Sequence, residues 1–375
     1  MVRRSTMLVV VVSTLAVLAG SALSLPKGIK GPLPFNATGF LQWNPAKLQA
    51  HLASAAAAQN LSVDHHKLTC FRMQYIIGER MHLALRSDST LAPGLIRLYF
   101  NDCFPNGCDA SIFLTWPNTP ECLYEPNKYI LTGSAWDLIE SLRKSVHAEC
   151  GATVSCADIL VVAAREAVKF VGGTINFPMP LGRPDGLAPA TNLEVSTIPS
   201  ARTEQASIML AKFASRGFDH PAELVLFLGA HSIGRAHCES FKDRADRQTD
   251  DFSRKLFWHC QNDRSWLQPL DYITPDRLDT NYYANVLAGE GVLTSDMALG
   301  NDPRTRSWME FYMNNPDNFA DDFSILMGRL FTVRGGARRG EIRKYGCFKT
   351  NAAGPGAGIP GVVSSSDQEG AAASA

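Results

Sequence analysis

Nine cysteines behind an apolar leader constrain this chain before any other feature does. Arg3 and Arg4 precede an apolar stretch from Met7 to Ala19, and Gly20, Ser21, Ala22, Leu23 and Ser24 follow it, which is the pattern of a secretory signal peptide over residues 1–24. That core is short of the ~20 residues a bilayer span needs. An uncleaved anchor is the other reading of the same leader. No later segment approaches spanning length, so the expected product is a soluble secreted chain with no membrane attachment after cleavage. In an oxidising compartment the cysteines should mostly pair, which imposes cross-links on whatever the rest of the sequence builds. An odd count leaves one over.

Charge removes two classes of partner. The 36 basic and 36 acidic side chains cancel, so there is no electrostatic footprint for nucleic acid, and no Lys/Arg run suggests a lipid-headgroup surface. A chain of 375 residues that is 45% hydrophobic suits one large or two ordinary domains and excludes a disordered or collagen-like protein. Residues 25–60 read as a poorly ordered extension, with Pro26, Pro32 and Pro34, a small-residue run from Ala53 to Ala58, and the sequons Asn36-Ala37-Thr38 and Asn60-Leu61-Ser62, which mark a glycoprotein if the chain is secreted. Residues 351–375 form a Gly/Ala/Ser-rich tail without an aromatic residue, unable to bury enough surface to order itself. The folded body is expected over 61–350.

Inside the body the dominant period is helical. From Ser134, an expected N-cap, Ala135, Leu138, Ile139, Leu142 and Val146 follow one helix face. Ala157 to Val171 is nearly all apolar and ends at Gly172-Gly173. Thr203 to Arg216 starts with a capping Thr and ends at Gly217, and Glu223 to Ala230 is a further apolar helix that delivers His231. Few segments alternate with period two. The fold class expected is all-α, with no repeat or linker that demands a second domain.

Three clusters carry chemistry. In RLYFNDCFPNGCDAS, residues 97–111, Asp102, Asp109 and Ser111 supply hard oxygen ligands, Gly107 and Pro105 permit a tight loop whose carbonyls complete a Ca²⁺ shell, and Cys103 and Cys108 are close enough to cross-link it. A disulfide-pinned turn with solvated acids is the alternative, and the spacing is not that of an EF-hand. In ELVLFLGAHSIGRAHC, residues 223–238, His231 at the end of an apolar helix reads either as a core histidine or as a haem-iron ligand, which would need a carboxylate on its other nitrogen. DYITPDRLD, residues 271–279, again sets Asp, Thr and Asp at close spacing before Asn281-Tyr282-Tyr283.

In order and spacing these clusters, with APGLIRLYFNDCFPNGCDASIFL, CGATVSCADILVVAARE, PLGRPD, TSD and GEIRKYGC, resemble the secretory plant-type (class III) haem peroxidases over roughly residues 65–348. The resemblance implies an all-α fold holding haem b between distal and proximal helical halves. It implies that His231 is the axial iron ligand and that Asp296 accepts its ring N–H. Asp102, Asp109 and Ser111, with the Pro105 and Gly107 carbonyls, match one Ca²⁺ site; Ser232, Asp271, Thr274 and Asp279, with the Arg277 carbonyl, match a second. The implied disulfides are Cys70–Cys150, Cys103–Cys108, Cys156–Cys347 and Cys238–Cys260, leaving Cys122 over. The implied activity is an oxidoreductase one, reduction of hydrogen peroxide with one-electron oxidation of small phenolic donors, in a monomeric secreted protein, or a vacuolar one if the tail is an address.

On the distal side the pattern breaks. Arg97 matches the cation that steadies the departing oxygen, Glu121 and Asn127 match the acid and amide behind the distal base, and Pro180 matches the carbonyl where donors dock. The histidine expected four residues after Arg97 is Asn101. A neutral amide cannot hold the proton that the imidazole would carry near pH 7, so strongly reduced turnover is expected. A non-catalytic haem- and calcium-binding pseudo-peroxidase is the alternative.

Overall fold

The apolar run after Ser155 forms a helix over Cys156–Phe170 that is buried along nearly its whole length, and the N-terminal half of the body is wrapped around it. The structure, a computed structural model, describes residues 53–114, 133–173, 179–203, 205–331, 333 and 340–354. Four long helices build this half: α1 (Met73–Ser87), α2 (Leu91–Asn106), α3 (Gly133–Cys150) and α4 (Cys156–Phe170). A helix with almost no polar face must be central, and α4 packs against the other three. Ser155 caps it by accepting the Asp158 N–H at 3.1 Å, and Gly172 stops it at a φ of 114° that a side chain would resist.

The second half comprises α5 (Asn192–Val195), α6 (Ala206–Ala214), α7 (Pro221–Leu228), α8 (Lys242–Arg247), α9 (Asp251–Asn262), α10 (Asn281–Leu287), α11 (Thr294–Asn301), α12 (Pro303–Asn314) and α13 (Pro316–Leu330). Here the apolar helix α7 is the centre, packed on α12 and α13. Among the described residues the only sheet pairs β1 (Arg235–His237) with β2 (Leu267–Pro269), antiparallel, Arg235 opposite Pro269. The fold is all-α, as the periodicity implies. No described helix is long and apolar enough to cross a membrane.

Phenylalanines join the halves. Phe100 and Phe104 of α2 stack at 4.9 Å, Phe104 meets Phe213 of α6 at 4.8 Å, and Phe227 of α7 lies 5.4 Å from Phe100 and 5.3 Å from Phe213. The four disulfides expected from the resemblance are all formed. Cys70–Cys150 ties the lead-in to α1 to the end of α3, and Cys156–Cys347 ties the start of α4 to a segment 191 residues on. Cross-links across long loops remove much unfolded-chain entropy, typically about 2–4 kcal/mol each. Cys122 lies outside the described residues.

Several expected boundaries move. Ser134 is not the N-cap, because α3 already includes Gly133. Thr203 does not cap α6: its N–H closes a turn on the Ser200 carbonyl, and the helix starts at Ala206 after Gln205, which makes no side-chain cap. Ordered chain precedes residue 61, since 53–57 are helical with Ala56 buried and Ser62 bridges to Leu181. It also continues past 350, where the Asn351 side chain accepts the Lys344 N–H at 2.8 Å and donates to the Ile342 carbonyl at 2.9 Å. Short polar anchors order these ends, which composition does not show.

One half-buried acid makes stability depend on pH. Tyr312 of α12 donates to Asp322 of α13 at 3.0 Å, and burial pushes the Asp322 carboxyl from its ordinary 3.8 up to about 6. The folded state thus prefers the protonated acid, so this contribution is whole below about pH 4 and is lost as pH rises through about 6. Relative to Asp322→Asn, wild-type unfolding free energy should fall by about 1–3 kcal/mol between about pH 4 and pH 7. Urea midpoints across that range measure it, and a pH-independent difference would contradict the assignment.

Candidate functional site

The helix expected to carry His231 stops short of it. α7 ends at Leu228, and a 3₁₀ turn, Gly229–Ser232, delivers the imidazole. Only glycine lets this turn descend so close to α10 and α13: a Cβ at Gly229 would stand 2.6 Å from the Tyr283 hydroxyl and 2.7 Å from the Phe319 ring. His231 Nδ1 lies 2.8 Å from Asp296 Oδ1. A carboxylate can only accept, so Nδ1 carries a proton, and in the neutral ring the lone pair lies on Nε2. Among the described residues Nε2 meets no hydrogen-bond partner, and the side chain is 28% exposed. An imidazole whose far nitrogen is held by a buried carboxylate while the near one is open has the disposition of a metal ligand.

Asp296 is fully buried at the start of α11. It also accepts the Leu293 N–H at 3.1 Å and the Tyr282 hydroxyl at 2.8 Å. Burial, then the Asp296 charge, holds the Tyr282 phenol well above its usual range, so it stays a donor. Tyr282 has no chemical role in the sequence reading. The adjacent pair Tyr282-Tyr283 was visible, but not that α10 turns the first hydroxyl onto the carboxylate.

Arg97 and Asn101 lie one helical turn apart on α2, and residues so spaced share a face. Asn101 is buried. Arg97 is exposed, and partial loss of water around its guanidinium lowers its pKa from 12.5 to about 10, still cationic at neutral pH. Tyr99 offers no substitute base: its hydroxyl points to α13, donating to the Met327 carbonyl at 2.9 Å, and burial raises its pKa. Gly234, just past His231, comes so near α2 that a Cβ there would sit 2.9 Å from Pro93. The His231 turn and the Arg97 helix therefore abut. Glu121 and Asn127 lie outside the described residues.

The two oxygen-rich loops are organised differently. In the first, Gly107 takes a φ of 79° and Ala110 one of 55°, and the Cys103–Cys108 bridge closes the turn. Asp102, buried, accepts the Ala110 N–H at 3.0 Å, and Asp109 accepts the Ser111 N–H at 3.0 Å. Gly186 cradles Asp109, since a Cβ there would stand 2.5 Å from its carboxylate. In the second, the Thr274 hydroxyl is 3.1 Å from Asp271 and 3.0 Å from Asp279, and it also accepts from Asn281. One hydroxyl proton cannot serve two carboxylates. Ser232 Oγ is buried without a partner among the described residues, and the neighbouring Ile233 bridges Asp276 of this loop, which includes Arg277. Excess acceptors beside an orphaned hydroxyl suit a hard cation. Among the described residues no group of three or more His, Cys, Asp or Glu side chains could hold a metal. Each loop brings only two acids to its candidate site, Asp276 of the second being paired with Arg235 at 2.8 Å, and each would depend on hydroxyls and carbonyls, as the sequence suggests.

Pro180 does not sit where a docking edge requires. It is buried, and its carbonyl accepts the Arg183 Nη1 at 2.7 Å. Arg183 is itself held by the buried Asp158, which turns the PLGRPD loop inward.

Residues 77–315 match the peroxidase family. The chain is 36% identical over 310 residues to Cationic peroxidase SPC4 of Sorghum bicolor, covering 79% of this chain and 84% of that protein. It is 35% identical over 305 residues to Peroxidase 63 of Arabidopsis thaliana, covering 78% and 91%. To Peroxidase 4 of Vitis vinifera it is 34% identical over 315 residues, covering 80% and 95%.

Two glycines separate close packing from helix propensity. Gly229→Ala should destabilise by about 1–3 kcal/mol, because the fully buried Tyr283 and Phe319 side chains must yield. Gly78→Ala, inside α1 with nothing within 4 Å of the new Cβ, should stabilise by about 0.5–1 kcal/mol. Urea unfolding of both variants checks the contrast, and equal effects would remove the steric reason given for Gly229.

Proposed function

The chain belongs to the plant class III peroxidase family, and from that premise we propose that it is a secreted haem b protein with two Ca²⁺ ions whose peroxide chemistry is held back by Asn101. The observation that carries the reading is the pairing of an intact His231–Asp296 couple, at 2.8 Å, with a distal helix that keeps Arg97 and puts a buried amide at position 101.

Haem supplies the redox-active iron on which hydrogen peroxide is reduced at the expense of small phenolic donors. His231 would hold it through Nε2, the nitrogen the protein leaves open. Asp296, holding the Nδ1 proton, lends the ring anionic character, which favours the oxidised metal. Arg97 keeps its positive charge at neutral pH and would stabilise negative charge that develops on a departing oxygen. The missing function is proton transfer. Imidazole takes up a proton and returns it near neutral pH, whereas the Asn101 amide only donates and accepts hydrogen bonds. Glu121 and Asn127 complete the distal set in this reading, although with no imidazole to orient.

Asp102, Asp109 and Ser111 with the Pro105 and Gly107 carbonyls hold one Ca²⁺, and Ser232, Asp271, Thr274 and Asp279 with the Arg277 carbonyl hold the other; oxygen-only donors favour that ion. Donor docking is better served by Pro199 than by Pro180. Pro199 is half-buried, its carbonyl meets no protein donor among the described residues, and its loop touches α11 through the Ala201 carbonyl and Ser295 N–H. The protein is read as a monomer acting outside the cell or, through its tail, in the vacuole. Asn101 also favours the second reading, a haem- and calcium-binding pseudo-peroxidase without turnover.

Loss of a general acid/base typically costs about 10²–10⁴ in rate. Asn101→His should therefore accelerate the reaction of the haem-loaded protein with peroxide by about that factor in stopped-flow absorbance. Equal rates would show that Asn101 does not limit the chemistry. Phenol oxidation by wild type at saturating peroxide separates slow enzyme from binder, and absence of a Soret band in the purified, Ca²⁺-replete protein would sink the haem reading.

A further inference from the structure

The carboxylate behind His231 is shared. Asp296 Oδ1 takes two donors, the His231 Nδ1–H at 2.8 Å and the Tyr282 hydroxyl at 2.8 Å, while the Leu293 N–H sits 3.1 Å from Oδ2. All three draw on one negative charge in a site closed to water, since Asp296 and Tyr282 are both fully buried. Two donors on a single oxygen compete: electron density given to the phenol is withheld from the imidazole N–H. The Tyr282 ring stands 5.8 Å from the imidazole and nearly perpendicular to it, at 88°. Packing of α10 against the His231 turn therefore fixes both the hydroxyl and the ring plane it influences.

We propose that Tyr282 is a positioning residue that weakens the pull of Asp296 on the His231 proton and thereby raises the reduction potential of a haem iron held at His231; this rests on the haem reading given above. With the hydroxyl present, the carboxylate is less basic, the imidazole is less anionic, and the ferrous state is less disfavoured. Removing the hydroxyl leaves Asp296 with His231 and the Leu293 N–H alone, so the His231 bond tightens.

Tyr282→Phe keeps the ring and deletes only the donor. In the haem-loaded protein it should shift the ferric/ferrous equilibrium about tenfold toward ferric, the scale of one charge-assisted hydrogen bond, which for one electron is a fall of about 59 mV in midpoint potential. The iron–histidine stretch of the reduced protein should rise in resonance Raman spectra. Tyr283→Phe is the control, because its hydroxyl donates to the Val225 carbonyl at 3.0 Å and not to Asp296; its potential should stay at the wild-type value. An unchanged or higher potential in Tyr282→Phe, or an equal fall in Tyr283→Phe, overturns the proposal. If the purified chain takes up no haem, the haem reading fails by itself, and the bond is read in that protein by proton NMR. There the His231 Nδ1–H resonance should move downfield in Tyr282→Phe, and a resonance that does not move overturns the competition between the two donors.

Discussion

The contact between α2 and α7 through phenylalanine rings is the constraint on which the rest of the molecule depends. α2 carries Arg97 and Asn101; α7 leads to His231. Phe100 and Phe104 of α2, Phe213 of α6 and Phe227 of α7 interlock at ring distances of 4.8–5.4 Å. Aromatic faces and edges are stiff, so such a cluster fixes spacing better than flexible aliphatic packing does. The close approach of Gly234 to Pro93 adds a second hinge-point beside His231. Together they make the spacing of the His231 turn from α2 a product of core packing.

Buried carboxylates then set the local detail, and they share one habit. Asp158 takes the Gly182 N–H at 2.7 Å and His66 Nε2 at 2.8 Å; Asp185 takes the N–H groups of Ala157 and Arg343, each at 2.9 Å. Asp271 and Asp296 do the same for the turns that precede α10 and α11. Each acid is fully buried and answers backbone N–H groups that would otherwise lack acceptors, so the charge is satisfied locally and a loop is locked in the process. Arg343, equally buried, reverses the signs by donating to the Ala110, Gly186 and Cys347 carbonyls. It thus links the first acidic loop to the C-terminal segment.

How far this was legible in the sequence differs between residues for physical reasons. α4 could be read because a nearly all-apolar run ending in Gly-Gly has few other solutions. The couple of His231 and Asp296 came from resemblance and not from spacing, since 65 residues separate them and no local pattern reports such a contact. The start of α6 was misread because Thr203 has a capping side chain but spends its N–H in a turn. The inward set of Pro180 was hidden for a similar reason: it depends on Arg183, which depends on the distant Asp158. Tyr282 illustrates the limit most clearly, being one of two adjacent tyrosines with equal composition and burial. Only the phase of α10 decides that one hydroxyl meets Asp296 while the other meets the Val225 carbonyl.

The His231 turn and the Arg97 helix are under unequal physical demands. His231 and Tyr282 are the side-chain donors to a fully buried carboxylate, and stripping partners from a buried charge typically costs about 3–5 kcal/mol. The proximal trio is therefore part of the fold's own charge balance and would resist change even in a chain that did no chemistry. Asn101 lies outside the phenylalanine cluster, and an amide in place of an imidazole removes a proton carrier while keeping a buried group that donates and accepts hydrogen bonds. It follows that the His231–Asp296 couple alone cannot separate an enzyme from a binding protein. The opposite edge of the imidazole bears on that question: Nε2 meets no hydrogen-bond partner among the described residues and the side chain is 28% exposed, so this nitrogen contributes nothing to the charge balance that holds the trio in place.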